Sequence, residues 1–168
     1  MAKLFIIIVL LFIAGGCNSS PQVPGGIGTD VGSMAPDFQL MNIEGQDVAL
    51  SDLRGSPVIL NFWASWCGPC REEMPFLQQI YEEWQDKGVL LLGINLREDP
   101  SVITDYMQGN GLSFPVLLDT DGSVTQNYDV LGIPTTFFID IDGIIQMRKL
   151  GPFTGVSEIE DYISEIQP

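Results

Sequence analysis

The sequence contains no histidine, and this absence removes several kinds of active site at once. Histidine is the usual base beside a Ser or Cys nucleophile and a common zinc ligand, so such pairs and most zinc sites are excluded. Basic residues are also scarce, since 7 Lys and Arg stand against 22 Asp and Glu, for a net charge of −15. So acidic a chain is repelled by phosphate, and we expect no nucleic-acid partner. Any chemistry must come from cysteine, carboxylates and the backbone.

Only three cysteines occur in 168 residues, and the first, Cys17, follows an apolar N-terminal segment. Lys3 precedes an unbroken apolar run over residues 4–14, which ends in Gly15 and Gly16. One positive residue, a short apolar region and a small-residue exit are typical of a secretory signal. The run falls short of the roughly 20 residues that a membrane-spanning helix needs. We therefore expect a signal peptide over residues 1–16, with an uncleaved anchor helix as the alternative.

The stretch from Ala14 to Cys17 resembles the lipobox of bacterial lipoproteins, in which the cysteine is acylated and becomes the N-terminus after cleavage. Small residues before Cys17 fit this pattern, although Ala14 stands where the family usually has Leu. The resemblance implies a lipid on Cys17 that anchors the chain to a membrane. The alternative is a free or disulfide-bonded thiol. Residues 17–32 are rich in Gly and Pro and predict a flexible linker.

Residues 33–168 predict one α/β domain with a mixed central sheet flanked by helices. Two nearly continuous apolar runs, over 57–63 and 89–96, predict central strands that are covered on both faces. The remaining predicted elements are a hairpin within 38–50, helices over 70–87 and 99–109, a strand over 114–118, a helical turn over 123–128, a hairpin around Asp142-Gly143, and a last helix that starts at Ser157 with a capping box to Glu160.

The chemistry lies in Cys67-Gly68-Pro69-Cys70, between a predicted buried strand and a predicted helix. The thiol of Cys67 would lie beyond the helix N-terminus, where unpaired N–H groups and the helix dipole favour the thiolate that attacks disulfides. Cys70 would lie within the helix, be less exposed and resolve the mixed disulfide. We predict that this redox-active pair works without any other cofactor and without a metal.

The sequence around this motif, from Asn61 to Pro75, resembles the TlpA/ResA-like group of the thioredoxin superfamily. Similar segments follow at 114–116 and 132–137. The resemblance implies a thioredoxin-like fold with an N-terminal β-hairpin extension and an insert between the central strand–helix units. Members of the group are membrane-tethered, face outward and exchange thiols and disulfides with protein partners, often during cytochrome c maturation.

The resemblance also implies roles for residues around the cysteines. It implies a cis peptide bond before Pro134, with Ile133 against the cysteines and its backbone open to a substrate strand; a trans turn proline is the alternative. Gly68 and Pro69 would support the site, and Trp66 would belong to the docking surface.

Glu73 is predicted to be a catalytic residue beside Cys67 and Cys70, and this role is implied by the resemblance. Thioredoxin has an aspartate at the position of Asn61, and Asn61 cannot accept a proton from Cys70. Glu73 matches the buried glutamate of the ResA-like proteins and would take that proton instead. The alternative is that Glu73 belongs to a solvated acidic face of the helix.

Other interpretations of the cysteine motif are open. A zinc half-site lacks a second ligand pair, and a purely structural disulfide across two residues would stabilise little. A peroxidase of the same fold carries a lone cysteine in a Thr-x-x-Cys setting, whereas Ser65 and Trp66 precede Cys67 here. A binding module with a vestigial disulfide is the non-catalytic alternative.

We therefore expect a lipid-anchored, extracytoplasmic thiol–disulfide oxidoreductase of the bacterial envelope. We expect it to reduce disulfides of protein substrates and to receive electrons from a membrane donor. The sequence leaves open whether the protein acts as an oxidant or a reductant.

Overall fold

The computed structural model describes residues 26–167 of the chain. The predicted signal peptide, Cys17 and the linker residues up to position 25 lie outside the described residues. Over the part of the chain that is described, no helix combines the length and the apolar character needed to cross a bilayer.

Residues 26–167 form seven strands, four α-helices and two short 3-10 turns, at Leu50–Leu53 and Gln85–Lys87. The strands and helices, in chain order, are β1 (Gln39–Asn42), β2 (Asp47–Ala49), β3 (Val58–Trp63), α1 (Gly68–Trp84), β4 (Leu90–Leu96), α2 (Pro100–Gly109), β5 (Val116–Asp119), α3 (Ser123–Asn127), β6 (Thr135–Ile139), β7 (Ile145–Leu150) and α4 (Val156–Ser164).

All seven strands form one mixed sheet in the order β2-β1-β5-β4-β3-β6-β7. The pairs β3–β4 and β4–β5 are parallel, and the other neighbouring pairs are antiparallel. The β1–β2 hairpin extends one edge of the sheet, and β5 with α3 separates the two central strand–helix units from the β6–β7 hairpin. The predicted mixed sheet and N-terminal hairpin are therefore confirmed, whereas the extra strand and helix follow the two central strand–helix units and do not lie between them as predicted.

Strand β3 lies at the centre of the sheet, and all six of its residues are buried. Because side chains alternate along a strand, Ile59 and Trp63 join the core under α1, α2 and α4, whereas Leu60 and Phe62 join the core under α3. Asn61 shares the face of Ile59 and Trp63. This alternation points the amide of Asn61 toward the helix that carries the cysteines.

The last helix begins differently from the prediction. Helix α4 begins at Val156 after an N-cap at Gly155, so Ser157 lies inside the helix and cannot cap it. The predicted capping box is wrong because a capping serine must stand before the helix, in extended backbone. Thr154 makes the local contact instead, since its backbone N–H and its hydroxyl donate to Glu158 Oε2 at 2.9 and 3.0 Å.

The segment 26–35 is bonded within itself between Gly26, Gly28 and Met34, and its Gly32, Ser33 and Ala35 are hydrogen-bonded to the β6–β7 hairpin. The N–H of Gly32 donates to the carbonyl of Ile145 at 2.8 Å, and the N–H of Ala35 donates to the carbonyl of Gly143 at 3.0 Å. Residues 26–32 therefore belong to the folded domain rather than to the linker predicted over 17–32. Ile139 is the last residue of β6, just before the turn to β7, and it pairs with Val58 at the start of β3. Gly32 and Ala35, which bond to the hairpin near that turn, therefore lie at the opposite end of the sheet from Cys67.

Candidate active site

Cys67 and Cys70 form a disulfide at the N-terminus of α1, with their Cα atoms 5.3 Å apart. Cys67 is the N-cap of the helix, and its Sγ accepts the backbone N–H of Cys70 at 3.2 Å. Pro69 occupies the first turn, where a missing N–H leaves no helical bond unmade. Cys67 is 5% exposed and Cys70 is fully buried, so Cys70 is the less exposed of the two residues, as predicted.

The peptide bond between Ile133 and Pro134 is cis, as the resemblance implied. The carbonyl oxygen of Ile133 lies 3.6 Å from Sγ of Cys67, which brings together residues that are 66 positions apart. The Thr135 hydroxyl donates to the carbonyl of Gly132 at 2.7 Å and ties this loop to the start of β6. The loop of Ile133 and Pro134 therefore borders the disulfide at Sγ of Cys67.

Glu73 lies on α1 one turn after Cys70 and is fully buried, so its assignment to a solvated acidic face is excluded. Its Oε1 accepts a hydrogen from Asn61 Nδ2 at 2.8 Å, and its Oε2 accepts the backbone N–H of Phe153 at 2.9 Å. Burial raises the pKa of Glu73 from an ordinary 4.5 to about 7, although these two hydrogen bonds and the charge of Lys149 oppose the rise. The carboxyl group can therefore gain or lose a proton near neutral pH.

Asn61 is a buried residue that the sequence analysis named only by position. Its Nδ2 donates to Glu73 Oε1 and also to the Thr136 hydroxyl, at 2.9 Å. The sequence did contain a signal, because an amide in the middle of an apolar central strand needs a buried polar partner. The identity of that partner was not visible, since Thr136 is 75 residues away.

Glu98 is a further residue that the sequence analysis missed. It follows β4 and accepts the backbone N–H of Ser65 at 2.7 Å, the Ser65 hydroxyl at 2.5 Å and Nδ2 of Asn95 at 2.8 Å. These bonds connect the end of β4 to the loop that leads from β3 into the cysteine motif. Glu98 therefore fixes the backbone just before Trp66 and Cys67.

Three large apolar side chains are exposed on the loops and the strand end near the disulfide. Trp66 is 65% exposed, Leu131 is 100% exposed and Leu150 is 67% exposed. A trough of about 280 Å³ runs between Leu131 and Leu150 and is also lined by Ile133 and Pro134. Exposed apolar side chains grouped together indicate an interaction surface. The sequence named Trp66, Ile133 and Pro134 for this surface, but not the two leucines.

No group of three or more His, Cys, Asp or Glu side chains that could hold a metal ion occurs within residues 26–167. What the fold and the site do contain is a mixed sheet, a Cys-x-x-Cys disulfide at a helix N-terminus, and a cis-proline loop against the first sulfur. Together these features define the class of thioredoxin-like thiol–disulfide oxidoreductases.

Comparison with known proteins agrees with this class. The model of the AhpC/TSA family matches residues 31–148. The thiol–disulfide oxidoreductase ResA of Bacillus subtilis is 37% identical over 163 residues, covering 97% of this chain and 90% of that protein. The chain therefore belongs to the AhpC/TSA family and, within it, to the thiol–disulfide oxidoreductases of the ResA type.

Solved structures are similar as well. StoA from Bacillus subtilis has a TM-score of 0.67 and 32% identity, with 76% of this chain and 96% of that chain covered. A secreted disulfide oxidoreductase of Mycobacterium tuberculosis, described as homologous to E. coli DsbE, has a TM-score of 0.66 and 26% identity, with coverage of 76% and 94%.

Proposed function

We propose that this oxidoreductase reduces disulfides of protein partners outside the bacterial cytoplasm, with Cys67 as the attacking residue and Cys70 as the resolving residue. The observation that carries the proposal is the asymmetry of the pair. Cys67 caps the helix and receives the N–H of Cys70, whereas Cys70 is fully buried. A partner sulfur can therefore approach only Cys67, and the helix N-terminus stabilises the thiolate that forms there.

The exchange proceeds in two balanced steps. The Cys67 thiolate attacks one sulfur of the partner's disulfide, so that a mixed disulfide forms and the partner's other sulfur leaves as a thiolate. The thiolate of Cys70 then attacks Sγ of Cys67, which re-forms the internal disulfide and releases the partner as a dithiol. Two electrons pass from the cysteine pair to the partner, and a membrane dithiol donor restores the reduced pair.

Glu73 is the proposed proton acceptor for Cys70. Cys70 must lose its thiol proton before it can attack, and it is fully buried away from water. Glu73 lies three residues further along the same helix, is equally buried and has a pKa raised to about 7. A carboxylate with such a pKa can take the proton in the resolving step and return it when the pair is reduced again.

The exposed residues Trp66, Leu131 and Leu150 form the proposed docking surface for the partner. An extended segment that lies along Ile133 would bring its cysteine over Cys67, because the Ile133 carbonyl is 3.6 Å from that sulfur. Its apolar side chains would cover the trough between Leu131 and Leu150. Gly68 and Pro69 leave the first turn of α1 without bulky side chains and would keep that approach open.

The proposed location is the outer face of a membrane, with a lipid on Cys17 after removal of residues 1–16. The lipobox-like sequence supports this location, and one relative is a secreted protein. Gly32 and Ala35 are bonded to the end of the sheet opposite to Cys67, which supports an anchor on that side with the disulfide facing away from the lipid. A role in cytochrome c maturation is part of this proposal.

The division of labour between the cysteines is tested by trapping. A Cys70→Ser variant should accumulate mixed disulfides with envelope proteins, because the resolving thiol is gone, whereas a Cys67→Ser variant should accumulate none. Non-reducing electrophoresis followed by mass spectrometry measures both. Equal trapping by the two variants would contradict the assignment. Intact mass of the membrane-extracted protein tests the anchor, since an unmodified chain that starts at Met1 would exclude it.

A further inference from the structure

Asn61 occupies the middle of β3, fully buried, between the helix that carries the cysteines and the strand that follows Pro134. Its amide makes two hydrogen bonds through the same nitrogen, to Glu73 Oε1 at 2.8 Å and to the Thr136 hydroxyl at 2.9 Å. A primary amide has two hydrogens, so both are used. Asn61 therefore commits its whole donor capacity to this one buried cluster.

The orientation of the amide suits an ionised Glu73. Both carboxylate oxygens accept hydrogen bonds, Oε1 from Asn61 and Oε2 from Phe153, so nothing here requires the carboxyl to donate. The opposite side of the amide is uncompensated, because Oδ1 of Asn61 is buried and has no partner among the described residues. Turning the amide over would bring that oxygen against Oε1 and would repel a carboxylate. The buried oxygen Oδ1 of Asn61 stays unpaired while Nδ2 donates to Glu73. The bond from Asn61 to Glu73 is therefore the contact that sets the orientation of the amide.

We propose that Asn61 is a positioning residue for Glu73: its amide holds the carboxylate beside Cys70 and favours the ionised form that accepts the thiol proton. The inference rests on the proposed role of Glu73. It gives a function to the amide that replaces the strand aspartate of thioredoxin. In this chain the strand position does not carry the proton; it orients the helix residue that does.

The other groups that face Glu73 do not replace this contact. Lys149 on β7 lowers the pKa of Glu73 and Glu158 on α4 raises it. These two side chains are paired with each other at 3.5 Å and shift the pKa of Glu73 in opposite directions, so the two charges partly offset. Cys70, on the same helix, is in the disulfide and has no ionisable thiol in the oxidised protein. The N–H of Phe153 belongs to the backbone and is unaffected by side-chain substitution, which makes Asn61 the side chain to change.

The test uses Asn61→Val, which removes the donor, and Asn61→Asp, which keeps the shape and puts a second carboxyl against Glu73. The Glu73 carboxyl is titrated directly by carbon NMR on isotope-labelled glutamate in the oxidised protein, and the pH profile of partner reduction is measured beside it. In Asn61→Val both midpoints should move upward by about one pH unit, since a hydrogen bond to the charged form is lost. In Asn61→Asp the pair should titrate in two separated steps, because one proton is shared.

Thr136→Val is the matched control, because it disturbs the same cluster and leaves the bond from Asn61 to Glu73 in place. Its midpoints should stay close to those of the unaltered protein. A Glu73 midpoint that is the same in Asn61→Val and in the unaltered protein would overturn the inference. If Asn61→Val does not fold, a single titration step near the original midpoint in Asn61→Asp would overturn it equally.

The experiment separates this inference from the proposed function on which it rests. If Glu73→Gln leaves the pH profile of partner reduction unchanged, the role of Glu73 as proton acceptor fails. If Glu73→Gln changes that profile but both Asn61 variants leave it alone, only the positioning role fails. In a Glu73→Gln background, Asn61→Val should cause no further shift of the profile.

Discussion

Replacement of Glu73 by Gln should abolish a pH dependence of stability that the buried carboxyl imposes on the folded protein. The pKa of Glu73 rises from 4.5 to about 7 on folding, with burial as its main cause. Each tenfold change in proton affinity corresponds to about 1.4 kcal/mol, so the difference corresponds to about 3 kcal/mol. Gln keeps the shape and an oxygen for the N–H of Phe153 but has no proton to lose.

The sign of the effect follows from where the proton binds more tightly. The folded protein holds the proton on Glu73 up to about pH 7, whereas the unfolded chain releases it near pH 4.5. Stability from this group is therefore fully present below about pH 4.5 and is lost as the pH rises through about 7. Between about pH 4.5 and pH 8.5 the unaltered protein should lose about 3 kcal/mol more than Glu73→Gln.

Urea unfolding of the oxidised protein, followed by tryptophan fluorescence at several pH values, measures this difference. Glu72→Gln is the matched control, because it removes a neighbouring carboxyl that is exposed on the same helix. Its stability profile should follow that of the unaltered protein. Parallel profiles of stability against pH for Glu73→Gln and the unaltered protein would refute the argument that ionisation of the buried Glu73 lowers the stability of the folded domain.

Two further changes test the surroundings of the cysteines. Leu131→Ser should raise KM for a protein disulfide about tenfold or more, because a leucine buried on docking contributes about 1.5–3 kcal/mol, and should leave the reaction with oxidised glutathione unchanged. Met41→Ser on β1 also removes an exposed apolar side chain, and it should change neither the KM for the protein disulfide nor the reaction with oxidised glutathione. An equal rise of KM in Leu131→Ser and Met41→Ser would contradict the docking surface. Glu98→Gln should lower the free energy of unfolding by about 1–3 kcal/mol, because Oε1 accepts the Ser65 hydroxyl while Oε2 accepts the Ser65 N–H and Asn95 Nδ2, and an amide keeps only one of these two acceptors. Asp99→Asn, at an exposed neighbouring residue, should lower the free energy of unfolding by at most about 0.5 kcal/mol in the same urea titration. Equal losses of stability in the two variants would contradict the role of Glu98 in fixing the loop before Cys67.

Signals that act over a few residues were enough to predict most of the fold. The apolar runs predicted β3 and β4, and Asp142-Gly143 predicted the turn between β6 and β7. Gly88 ends the first helical region with a φ of 86°, which glycine adopts without steric cost. The cysteine spacing at a helix start predicted the disulfide pair and the greater burial of Cys70. Each of these features depends on backbone conformation or on side-chain periodicity, and both are determined by residues that are close together in the sequence.

Only the tertiary structure decided how the surroundings of the disulfide are assembled. A glutamate three residues after Cys70 can face solvent or core, and Glu73 is buried because β3 supplies Asn61 and a distant loop supplies the N–H of Phe153, 80 residues away. The contact from Glu98 to Ser65 likewise joins two chain segments that meet only because β3 and β4 are parallel neighbours. Such contacts arise when packing brings remote segments together. The sequence around one partner therefore does not predict which residue the other partner is.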